Sequence, residues 1–274
     1  MSLSPPIVAD RVAGPAASTA RLLINKVPEV TLWFWIIKIL CTTVGETFAD
    51  YLAVDLHLGL TNTTYVMSAV LVVALIAQFR SPKYVPGLYW FAVVAISVVG
   101  TLITDKLVDD FGVPLETTTI AFTVALAATF LLWFRSERTL SIHSIVTPKR
   151  EAYYWTAILF TFALGTAAGD LIAERMNLGY GLSVLLFAVL IGLIAMAHFR
   201  FHLNDVATFW AAYILTRPLG ASMGDFTSQA KGDGGLGWGT TGTSLVFLTA
   251  ILGVVVYLSI TGKDRTPVVE LEAT

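Results

Sequence analysis

The stretch 155-WTAILFTFALGTAAGD-170 decides the fold, because the chain states its pattern four times: Trp, nine residues, Gly, three residues, a small residue, Asp. The copies are Trp35–Gly45–Ala49–Asp50, Trp90–Gly100–Thr104–Asp105, Trp155–Gly165–Gly169–Asp170 and Trp210–Gly220–Gly224–Asp225. Each Asp lies inside or at the edge of an apolar stretch long enough to cross a bilayer. A carboxylate at the centre of such a helix costs roughly 2.5–3.5 kcal/mol on insertion scales. Four such costs at one repeat position need a common reason.

The composition agrees with a bilayer setting. The chain is 56 % hydrophobic and 13 % charged, against about 25 % charged in an ordinary soluble domain. It reads as an all-α integral membrane protein with the lipid bilayer as its solvent. Its 274 residues suffice for about eight spans of ~20 residues with short loops. Cys41 is the only cysteine, so an intrachain disulfide framework and a thiolate cluster are excluded. No basic patch interleaved with aromatics points to nucleic acid. The oligomeric state, a homo-oligomer included, stays open.

The repeats divide the chain. Residues 1–30 form a cytoplasmic arm with Pro5, Pro6, Pro15, Arg11, Arg21 and Lys26, and an amphipathic piece around Ala20–Ile24. Residues 31–135 form one membrane half with repeats one and two, 136–151 a cytoplasmic linker, 152–260 the second half with repeats three and four, and 261–274 a cytoplasmic tail. The repeat glycines stand 55, 65 and 55 residues apart, and such register marks genuine internal repetition. Two spans per repeat make all four repeats parallel. The ends bearing Arg80, Lys83, Arg135, Arg138, Lys149, Arg150 and Arg200 join both chain ends on one face. The opposite turns hold only Lys106, Arg175 and Lys231. The positive-inside rule then places both termini in the cytoplasm, with the repeat Trps as interface anchors. Each Asp falls about one turn below the outer end of its helix.

The parts of the motif read differently. Gly45, Gly100, Gly165 and Gly220, each with a small residue four further on, suit close helix packing. Packing does not explain Asp50, Asp105, Asp170 and Asp225. An Asp at a helix start would meet the positive end of the dipole, yet these sit at the other end. The even spans open with hydroxyls, among them Thr63, Thr118, Ser183 and Thr243, which either cap their helices or fold back beside the Asp as ligands. Carboxylates, hydroxyls and freed carbonyls suit a hard cation or protons. Glu46 lies one turn before Asp50 and occurs in the first repeat alone. Lys38 and Arg217 oppose the acids as counter-charges. Lys38 is expected to reach for the cytoplasmic interface, and Arg217, beside helix-disturbing Pro218, to pair with Glu46 or an aspartate.

Other constellations rank lower. Gly169-Asp170 and Gly224-Asp225 lack the first glycine of an intramembrane aspartyl protease motif, with Ala167 and Ser222 in its place. His198 and His202 have ligand spacing but flank an interfacial Phe199-Arg200. The glycines of 232–239 have no phosphate-loop lysine and read as a flexible turn.

The stretches Thr42-Thr43-Val44-Gly45-Glu46-Thr47-Phe48-Ala49-Asp50-Tyr51-Leu52 and Leu164-Gly165-Thr166-Ala167-Ala168-Gly169-Asp170 resemble the repeat of bacterial "uncharacterised membrane-anchored proteins". That multi-pass family is built from a repeat of unknown function. The resemblance covers about residues 30–260. It implies the repeat architecture and a bacterial inner-membrane location, and it brings no activity.

The expectation is a secondary transporter or exporter of a small cation, with a divalent metal as one candidate ion and exchange for protons as a candidate coupling. Asp50, Asp105, Asp170 and Asp225 would bind the ion, as metal ligands in the first case, with Glu46 as a further ligand or proton carrier. A channel would use the same site, and a membrane scaffold or sensor would use the acids only to hold helices together. A bound metal cation is the one candidate cofactor. No nucleophile, metal triad or cofactor motif supports an enzyme.

Overall fold

The computed structural model describes residues 25–265, so the amphipathic piece expected around Ala20–Ile24 lies outside the described residues. Eight long helices follow one another: α1 (Leu32–Asp50), α2 (Gly59–Arg80), α3 (Pro86–Asp105), α4 (Leu115–Glu137), α5 (Pro148–Asp170), α6 (Tyr180–Phe201), α7 (Asp205–Ser228) and α8 (Gly239–Thr261). Seven of them, all but α7, are long and apolar enough to cross a membrane. α7 carries Arg217, Asp225 and a run of small and hydroxyl residues, and it lies between α1 and α5.

Local chemistry sets the helix ends. The hydroxyls of Thr31 and Thr147 and the amide oxygen of Asn204 accept hydrogen bonds from the first-turn N–H groups of Phe34, Arg150 and Ala207. These caps start α1, α5 and α7. Pro86 and Pro148 occupy first-turn positions, where their missing N–H costs nothing. α4, α6 and α8 stop at left-handed residues Arg138, His202 and Gly262. The linker is therefore shorter than 136–151, because α4 runs on to Glu137 and α5 already begins at Pro148. α7 continues through Pro218 without interruption.

The odd helices form an inner ring, with α1 against α3 and α7, and α5 against the same two. The even helices lie outside it. Each packs along the next repeat's inner helix: α2 on α3, α4 on α5, α6 on α7, and α8 back on α1. The hairpins expected to lay each even helix beside its own repeat's Asp thus give way to a shift of one repeat. α8, arriving from the far end of the chain, covers the face of α1 that α2 would need.

The glycines set how closely the inner ring is drawn. A Cβ on Gly45 would lie 2.6 Å from the Cβ of Ser97, and one on Gly100 2.7 Å from that of Phe162. Gly165 faces Arg217 and Gly220 faces Thr42 in the same way, with Cβ separations of 2.5 and 2.4 Å. In every case the residue three before one repeat's glycine seats on the preceding repeat's glycine. That constant offset around the ring requires parallel inner helices.

Two expectations about the ends change. Trp90, Trp155 and Trp210 are buried in the bundle, packed edge-on and tilted into an aromatic layer with Phe34, Tyr89, Tyr154, Phe209 and Tyr213, instead of anchoring at the interface. The hydroxyls of Tyr89 and Tyr154 share a short hydrogen bond there. The Gly-rich segment is an ordered cap: N–H groups of Leu236, Gly237 and Trp238 reach the carbonyls of Phe226, Gln229 and Thr227 at 2.7, 2.8 and 3.0 Å. Those carbonyls end α7 and need partners.

Candidate functional site

Residues four apart share a helix face, so each repeat Asp heads a stripe along its inner helix. The stripes are Asp50, Glu46, Thr42, Lys38 and Phe34 on α1, and Asp105, Thr101, Ser97, Val93 and Tyr89 on α3. On α5 run Asp170, Thr166, Phe162, Ile158 and Tyr154, and on α7 Asp225, Ala221, Arg217, Tyr213 and Phe209. Contacts across the ring place these stripes on its axis.

At mid-depth the axis holds Arg217, which is 0 % exposed. Its Nη2 donates to Glu46 Oε2 at 2.9 Å, to Thr166 Oγ1 at 2.6 Å and, in a short contact, to Thr101 Oγ1. Its Nη1 donates to the carbonyl of Thr42 at 3.2 Å. The Thr101 hydroxyl in turn donates to Glu46 Oε2 at 3.3 Å. The residue immediately after the repeat glycine on three inner helices thus surrounds a guanidinium from the fourth. The structure selects Glu46 from the acids open to Arg217. Thr101 and Thr166 were not legible as partners, although aligning the four copies puts both in the column of Glu46.

The acids lie one step further along the stripes. All four repeat aspartates are within electrostatic reach of Glu46, and Asp50 is within reach of each of the other three. Asp225 is buried and the others are half-buried. Among the described residues no hydrogen bond reaches any of the four carboxylates. They form a loose layer of one acid per helix.

Among the described residues no three His, Cys, Asp or Glu side chains stand together as a metal ion requires. Asp50, Asp105, Asp170 and Asp225, one from each inner helix, belong to no such group. The hydroxyls that open the even helices, Thr63, Thr118, Ser183 and Thr243, are all buried. Thr118 and Ser183 donate to carbonyls of their own first turn, Pro114 at 3.2 Å and Gly179 at 2.8 Å. Thr63 and Thr243 find no hydrogen-bond partner among the described residues.

Lys38 also departs from expectation. It does not reach the interface: it is 1 % exposed, on the axis, with Nζ 4.2 Å from the ring centroids of both Phe162 and Tyr213. Packing of the aromatic layer between it and the end of the bundle that holds the chain termini leaves the ammonium no path outward.

Beyond three of the acids the backbone changes its winding. Asp50, Asp105 and Asp170 are each followed by one π-helical turn, Tyr51–Asp55, Lys106–Asp110 and Leu171–Arg175. Such turns leave wider backbone spacing and recur at functional sites. The outer helices touch these turns in the same one-repeat shift. Thr61 on α2 donates to Asp110 at 3.4 Å, Arg175 pairs with Glu116 on α4 at 3.2 Å, and Thr240 on α8 donates to Asp55.

A family model described as Repeat of Unknown Function (DUF347) matches the chain at residues 33–84, 88–139, 153–203 and 208–264. These four matches coincide with the four Trp–Gly–Asp repeats. No curated protein and no solved structure matches the chain.

Proposed function

The chain belongs to the family of that repeat, and on this premise we propose that it is a membrane carrier of a small cation, with protons as the exchanged or coupled species. In this reading all eight helices span the bilayer as four parallel repeats in two pseudo-symmetric halves. Both termini face the cytoplasm of a bacterial inner membrane. The Asp layer is the outward-facing binding level. The observation that carries the reading is the axial order of charge: four acids at one level and, one step deeper, Glu46 held by Arg217. A buried guanidinium bound to a single carboxylate and two hydroxyls can change partners when a cation or proton neutralises that carboxylate. Arg217 is then a tethered counter-charge that holds Glu46 when no ion is present. Protons or a singly charged ion fit better than a divalent metal, whose oxygen cage of several ligands the separated acids do not supply.

The test is flux in proteoliposomes with Asp50→Asn, Asp105→Asn, Asp170→Asn and Asp225→Asn. The expected result is a loss of at least tenfold in one or more of the four. If all four move cations and protons as well as the wild type, the carrier reading is refuted. The scaffold reading has one observation in its favour, the tight seating of each repeat glycine on the next helix. It predicts that these variants lose thermal stability while no flux exists in the wild type.

A further inference from the structure

Lys38 remains unused by this reading, although it stands on the same axis. Its Nζ has no hydrogen-bond acceptor among the described residues. What holds it are two ring faces, Phe162 from the third repeat and Tyr213 from the fourth, each with its centroid at 4.2 Å. Arg217 shares the Phe162 ring, its guanidinium carbon 5.7 Å from the centroid. At the register of Lys38 the other repeats carry Val93, Ile158 and Tyr213, so the repeat pattern does not demand a cation there. The Tyr213 hydroxyl is also buried and without a partner. The place is an ammonium-sized gap between aromatic faces, in line with the Arg217–Glu46 pair and the Asp layer.

Ring faces attract a cation through their quadrupole and are the usual recognition surface for ammonium groups. They cannot replace the oxygen shell that a strongly hydrated metal ion demands. Resting on the carrier reading, we propose that the Phe162–Tyr213 gap is a second cation site on the transport axis. Lys38 is its tethered occupant, and the transported class is ammonium or a small primary alkylammonium. Passage then requires the Lys38 side chain to yield the gap. While it sits there, the side chain fills the gap and keeps a second cation from entering.

Replacing Lys38 by Ala removes Cγ through Nζ and leaves a gap matching an n-propylammonium ion. Thermal unfolding of Lys38→Ala in detergent is measured with n-propylammonium chloride, n-propanol or sodium chloride at matched concentration. The expected result is a rise of about 2–4 °C at roughly ten times the half-saturating propylammonium. Propanol and sodium chloride should give none, and the wild type should not respond. An equal response to propanol means a plain apolar cavity and overturns the site, as does no response to either additive. If Lys38→Ala is recovered only when propylammonium is present during purification, the site is supported. If Lys38→Ala cannot be recovered at all, wild-type proteoliposomes decide: uptake of methylammonium at least tenfold above sodium supports the assignment, and equal or absent uptake overturns it. The two readings fail separately. Asp→Asn-sensitive flux of another cation without methylammonium uptake refutes this inference alone. Propylammonium binding to Lys38→Ala in a protein that moves no ions refutes the carrier alone.

Discussion

Gly165→Ala tests the closeness of the inner ring most directly. The added Cβ would lie 2.3 Å from Arg217 Cγ, 2.5 Å from Arg217 Cβ and 2.9 Å from Pro218 Cδ. A rotamer change cannot relieve this, because Cβ moves only with the backbone and the proline ring is rigid. Overpacking of this kind costs about 1–3 kcal/mol, and the better helix propensity of alanine returns up to ~1 kcal/mol. The displacement falls on Arg217, so part of the roughly 3–5 kcal/mol attached to a broken buried ion pair is added. The net expectation is a loss of about 2–5 kcal/mol. Gly192→Ala, on the outer helix α6, is the matched control. Nothing lies within 4 Å of its new Cβ, and it should be neutral or stabilising by up to ~1 kcal/mol. Equilibrium unfolding in mixed detergent micelles, followed by tryptophan fluorescence, measures both. If Gly165→Ala falls within about 0.5 kcal/mol of Gly192→Ala, the seating of α7 on α5 does not limit the ring.

Two further outcomes follow from charged groups. Arg217→Met leaves Glu46 buried with the Thr101 hydroxyl as its remaining donor, and should cost about 3–5 kcal/mol in the same titration. Adding Glu46→Met should restore most of that loss, and a single-variant cost under ~1 kcal/mol would show that the pair carries little. Where the two ends of the described chain meet, the Tyr84 hydroxyl donates to Asp264 at 2.5 Å, and Asp264 O accepts from Glu29 N at 2.9 Å. Burial raises the Asp264 carboxyl above its ordinary value, against the opposing pull of the Tyr84 hydrogen bond. The folded state therefore holds this proton more tightly than the unfolded chain. Its stabilisation is complete below the ordinary carboxylate range and fades as pH rises through the elevated value. Asp264→Asn should lose that slope in melting temperature between acid and neutral pH, and identical slopes in the two proteins would rule the effect out.

The spans and the repeats were open to inspection in the sequence because hydropathy and the Trp–Gly–Asp spacing are one-dimensional signals. The pairing of outer helices with the next repeat was hidden, since adjacency in sequence favours the hairpin partner and nothing in the spacing of Thr63 or Ser183 names α3 or α7. Within the site, charge alone singled out Glu46, Arg217 and the aspartates. Thr101 and Thr166 looked like ordinary mid-helix hydroxyls until the ring placed them against the guanidinium. Lys38 was misread for a physical reason. A lysine near a helix end ordinarily extends to water, and only the aromatic layer assembled from four helices blocks that route.

The return of α8 onto α1 has a consequence for connectivity. Glu29 and Asp264 meet backbone to backbone, so the two ends of the described chain lie side by side at a seam no different from those between other repeats. A ring closed in this way has no privileged first repeat. Joining residues near 29 and 264 and opening the chain within 138–147 would interchange the two halves while keeping the four glycine seatings of the inner ring, at the expense of the Lys26–Glu151 ion pair and of the hydrogen bonds that Leu140 and Ile145 accept from Trp210 and Lys26. The covalent order of the repeats is then one cut among several in a circular arrangement, and the protein's individuality resides in the few side chains that break the circle: Lys38, Glu46 and Arg217.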